Sequence, residues 1–108
     1  MIMFIMHRKM TVKEGFADQM VEQFNKPGII EEQEGFIDII AMTSKPRKGE
    51  ETVIALVRWE SEEKWKQWEK SDAHIAGHKA KRGQAKPDHI IDQKVTFYTV
   101  QAVKEARN

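Results

Sequence analysis

"GFIDIIAMTSKPRKGEETVIALVRWE", Gly35 to Glu60, decides the fold. Its first part, "GFIDIIAMTSK", is rich in Ile and of strand length, and so is its last part, "ETVIALVRWE". Between them "PRKGE" gathers proline, glycine and charge, the chemistry of a turn. Two strands joined by so short a turn predict a hairpin in the middle of the chain.

Toward the N-terminus, "MFIMHRKMTV" (3–12) alternates. Phe4, Met6, Arg8, Met10 and Val12 share one face, and Ile5, His7, Lys9 and Thr11 the other, as in a strand with one wet side. "KEG" breaks it. "FADQMVEQFNK" follows with Phe16, Met20, Val21 and Phe24 at helical spacing, and "NKPG" stops that helix. Toward the C-terminus, Ser61 caps "EEKWKQWEK", whose first turn carries Glu62 and Glu63. Ser71 or Asp72 offers a second cap, leading "AHIAGHKAK". "RGQAKPD" reads as a loop, "HIIDQKVTFYTVQAV" as a long final strand and "KEARN" as a polar tail.

The order β-α-β-β-α-β predicts an α+β, ferredoxin-like split unit with both helices on one face of an antiparallel sheet. The chain, 1–108, is expected to be one domain. Ile37, Ile39 and Ala41, with Val53, Ala55 and Val57 or with Ile54 and Leu56, make both sheet faces fairly apolar. One layer of helices covers one face, so a homodimer is expected over the other.

Composition narrows the classes. Apolar residues make up 40% and charged residues 32%, as in a folded domain. Eighteen basic residues against 17 acidic ones give no bulk attraction to nucleic acid. Without cysteine there is no disulfide, thiolate metal site or cysteine nucleophile, which fits a reducing compartment. "MIMFIM" is too short for a secretory core and carries its charge after it, and no apolar run nears the roughly 20 residues of a membrane span. A cytoplasmic location is expected.

The chemistry concentrates in "WEKSDAHIAGHK", Trp68 to Lys79. Along one continuous helix Trp68 and His78 would diverge. A break at Ser71-Asp72 would let both line one cleft. His74 and His78 share a helical face, and Gly77 beside them costs about 1 kcal/mol relative to Ala while leaving room for a broad planar ligand. The histidine pair is also a possible zinc clip, but no zincin-type glutamate follows His74, and His89 is the only obvious further donor. Arg8 stands among apolar neighbours and needs a partner. Two are open: an ion pair with Asp38, or a ligand in the cleft.

Several segments together resemble the IsdG-type heme-degrading monooxygenases of the antibiotic-biosynthesis-monooxygenase (ABM) superfamily, nearest the HmoA-like branch. They are "GFADQMVEQF", "EGFIDI", "ALVRWESEEKWKQWEKSDAHIAGHKA" and "PDHIIDQKVTFYTV". The resemblance implies a dimer whose sheets meet as a β-barrel, with heme bound between helices and sheet. It matches His78 to the proximal iron ligand and Trp68 to the tryptophan that ruffles the porphyrin. It implies ring opening with oxygen and electrons from an external donor, a reductase or small reductant, releasing iron and a tetrapyrrole. Lys79, Lys81, Arg82 and Lys86, just past the ligand, are then candidates to meet the propionates. The family's better-known members carry a distal asparagine on the first strand. Counting back from Phe24, Arg8 holds that position, and the only asparagines are Asn25 and Asn108. Two other functions fit the same residues: a heme-binding or buffering protein without efficient turnover, and a cofactor-free monooxygenase of a quinol-like aromatic.

Overall fold

A computed structural model describes residues 3–81 and 87–107. Among these residues the chain forms β1 (Phe4–Lys13), α1 (Ala17–Phe24), a 3-10 turn (Ile30–Glu32), β2 (Phe36–Thr43), β3 (Glu50–Trp59), α2 (Glu62–Glu69), α3 (Asp72–Lys81) and β4 (Ile90–Thr99). The strands make one antiparallel sheet in the order β2-β3-β1-β4. This is the ferredoxin-like α+β arrangement that the alternation and helical spacing predict. The expected hairpin pairs Ile39 with Val57 and Ala41 with Ala55. Its turn is made by Lys48 and Gly49, both at positive φ, which a glycine adopts without cost. The 3-10 turn at Ile30–Glu32 was not expected from the sequence.

The helices cover one sheet face in two patches. Under α1, Met10, Val12 and Val53 bury against Ala17 and Met20, with Phe16, Phe24 and Ile90 around them. Under α2, Phe4, Val57 and Trp59 bury against Trp65 and Trp68, with Met6, Ile30, Phe36 and Ile39 around them. Trp65 is held between rings, 5.2 Å from Phe4 and 4.7 Å from Phe97 by centroids. Burying an aromatic or branched side chain is worth roughly 1.5–3 kcal/mol, so these two patches fix the helices on the sheet. Arg8 sits on β1 between them, opposite Ala55 and Val95.

The other sheet face carries Ile5, Ile54, Leu56 and the exposed Ile40, Met42 and Tyr98. Asp38 lies here as well. Simple alternation puts it on one face with Phe36, but the register shifts between them: Phe36 pairs with Trp59 and Asp38 with Arg58. The extra residue of a bulge turns the strand over. Asp38 is therefore on the far side of the sheet from Arg8, and its carboxylate accepts two hydrogen bonds from Arg58, at 2.7 and 2.6 Å. The expected alternative of an Arg8–Asp38 ion pair is corrected accordingly. No helix among the described residues is long and apolar enough to cross a membrane.

Candidate functional site

The site is organised by one hydroxyl. Ser71 Oγ donates to the Trp68 carbonyl at 2.7 Å and accepts from the His74 amide at 3.2 Å. It closes the last turn of α2 and caps the first turn of α3 in a single residue, which is the break that two successive cap residues predict. Its effect is to bring Trp68 against His74, their rings 4.8 Å apart and edge-on. His78, one turn further, lies against His74 in turn, with ring centroids 4.4 Å apart. Trp68 and His78 therefore belong to one chain of rings, with His74 between them.

Beside these rings is a cavity of about 70 Å3, walled by Met6, Val57, Trp59, Trp65, Trp68 and His74 among others. Trp59 is fully buried, and its indole Nε1–H has no hydrogen-bond partner among the described residues. His78 itself is exposed and is not among the residues that wall the cavity. α3 buries none of its described side chains, and a Cβ built on Gly77 meets nothing within 4 Å. The helix that carries both histidines is thus lightly held.

A third donor joins them. His74 Nε2 is 2.6 Å from Glu69 Oε2 and 2.9 Å from His78 Nε2. Glu69 was not singled out in the sequence because it precedes the break. Its only signal is position: a carboxylate in the last turn before a helix-capping serine. His89, the donor the sequence offered instead, stacks on Phe16 with centroids 4.8 Å apart and is outside the cluster. Arg8 is half-buried, and its guanidinium donates to Gln93 Oε1 at 3.0 Å. Among the described residues that neutral amide is its hydrogen-bond partner. Lys79 is exposed on α3. Arg82 and Lys86, named with it as candidates, lie outside the described residues, as does the side chain of Lys81.

With this geometry in place, the comparisons with known proteins are specific. The family model for antibiotic biosynthesis monooxygenases matches residues 3–80, from β1 into α3. The chain belongs to that family. It is 58% identical over 103 residues, 95% of each chain, to the heme-degrading monooxygenase HmoA of Bacillus subtilis. The crystal structure of a Bacillus cereus protein assigned to the antibiotic biosynthesis monooxygenases superposes with a TM-score of 0.84, at 45% identity over 98% of this chain and 100% of that one. The heme-degrader MhuD of Mycobacterium tuberculosis, solved with two hemes in its active site, superposes at 0.65 over 94% of this chain and 99% of that one; at 18% identity this is a likeness of fold.

Proposed function

We propose that this ABM-family chain is a heme-degrading monooxygenase that takes its substrate between α2–α3 and the helix-bearing face of the sheet. The observation that carries it is an apolar, indole-walled cavity adjoining a solvent-accessible imidazole on a lightly held helix. The kinship supports it, through a relative of near-equal length that is a heme-degrading monooxygenase.

The residues present fit a flat apolar macrocycle. Trp59, Trp65 and Trp68 give it aromatic walls, and the open space at Gly77 lets it approach the α3 backbone. A cavity of about 70 Å3 holds only part of it, so the site must widen to admit the whole ring. Heme bound there supplies both the iron that activates oxygen and the ring that is opened. His78 would hold the iron, its Nε2 parting from His74 Nε2, which now lies 2.9 Å away. Trp68 presses on the macrocycle and bends it. Arg8, hydrogen-bonded to the neutral Gln93, would donate to the oxygen-bearing side in place of an asparagine. Lys79 would meet the propionates, with Arg82 as a second candidate. Electrons come from an external reductase or small reductant. The whole chain, 1–108, acts as one domain, and two copies join over the far sheet face into a barrel.

The test is spectroscopic. Hemin added to the protein should produce a Soret band, and reductant with oxygen should make that band decay as iron is released. A band that persists under turnover conditions would mean a binder, and no band at all would favour a cofactor-free oxygenase. In His78→Ala the signature of axial imidazole should vanish. An unchanged spectrum would move the ligand to His74 or elsewhere.

A further inference from the structure

We propose that Glu69, His74 and His78 form a site for a divalent first-row transition ion, of which zinc is the probe. The metal site stands on these three side chains alone. Its competition with heme for the His78 imidazole rests on the function proposed above.

The ligand atoms of the three residues all lie within 4.8 Å of one another. His74 Nε2 is the middle one, close to both Glu69 Oε2 and His78 Nε2. Proton accounting shows what is unusual here. If His74 Nε2 carries its hydrogen and donates to Glu69, it has no lone pair left for His78 Nε2. If His78 Nε2–H donates to His74 instead, the His74 lone pair is occupied and the Glu69 carboxylate faces no donor. One hydrogen cannot serve two contacts of this length equally well. A cation can, because it takes a lone pair from each of the three atoms at once.

The geometry is close to what such an ion needs. Zinc bonds nitrogen and carboxylate oxygen at about 2.0–2.2 Å, which sets tetrahedral donors roughly 3.3–3.5 Å apart. The close contacts seen here, 2.6 and 2.9 Å, must open by under an ångström. Little resists that movement, since the Glu69 side chain is 40% exposed and His78 is exposed. Two imidazoles and one carboxylate suit borderline ions rather than calcium or magnesium. Three protein ligands also leave a position for water, so the site is open rather than structural. The same imidazole of His78 cannot hold this ion and heme iron together, so each excludes the other.

Tag-free protein titrated with zinc against a chromophoric chelator should bind one ion per chain, and cobalt should give the intense visible bands of a tetrahedral site. Glu69→Gln and His74→Ala should each weaken zinc by at least about tenfold, since even outer-shell partners of a metal are worth that much. His89→Ala, remote from the cluster, should bind as the wild type does. Failure of the wild type to retain zinc, or equal affinity in the triad variants and the wild type, overturns the site whatever hemin does. Hemin displacing zinc one for one supports both the metal site and His78 as axial ligand. Hemin binding beside a retained, triad-bound zinc supports the metal site and overturns that role of His78.

Discussion

Trp68 and Arg8 are set apart by what each side chain already touches. The Trp68 ring is packed edge-on against His74 and lines the cavity, so it is positioned to act through shape. Trp68→Ala should therefore keep hemin affinity within a few-fold while slowing ring opening by about tenfold or more, a loss of roughly 1.4 kcal/mol of transition-state stabilisation. Single-turnover decay of the Soret band reads this directly, and undiminished turnover would remove the ruffling role. Among the described residues Arg8 meets the amide oxygen of Gln93 and no carboxylate. Arg8→Ala should cut the oxygen-dependent rate more than it cuts hemin affinity. An equal loss in both would mark Arg8 as a support for the seam between the two core patches.

At the scale of elements the critical join is α2 to α3. Ser71→Ala removes both the donor to the Trp68 carbonyl and the acceptor for the His74 amide, and should cost about 1 kcal/mol by thermal or urea unfolding. Ser71→Asp keeps an acceptor for the amide but cannot donate, so it should recover most of that stability while leaving the helices less firmly joined. The join was legible in the sequence because caps are local: a serine and an aspartate between two helical runs say where one helix ends. The strands were legible for the same reason, since alternation is read residue by residue. What failed was non-local. The bulge between Phe36 and Asp38 changes which face Asp38 occupies, and alternation carries through a bulge as if it were absent. Hence the expected Arg8–Asp38 partnership gave way to Arg58–Asp38. Glu69 was missed because its partnership with His74 exists only after the chain bends at Ser71.

At the scale of the molecule, the far sheet face sets the next test. Ile54 and Leu56 sit there with exposed Ile40, Met42 and Tyr98, and the Arg58–Asp38 pair lies among them. Ile54→Lys should turn the proposed dimer into a monomer, visible by light scattering, with the concentration dependence of unfolding lost as well. The ion pair gives that face a pH response. The hydrogen bond from Arg58, aided by its charge and opposed by burial, holds the Asp38 carboxyl below the usual aspartate range. A folded-state value below the unfolded one stabilises the fold above the usual range, and that stability disappears as pH falls through the lowered value. With the side chains 30% and 40% exposed, the pair is worth about 0.5–1 kcal/mol at neutral pH. Urea midpoints of the wild type and Asp38→Asn should therefore differ by a constant amount from pH 7 to about pH 5, begin to approach each other near pH 4, and meet only below the lowered value of Asp38. A gap that persists undiminished in acid would mean that Asp38 acts through packing and not through its charge.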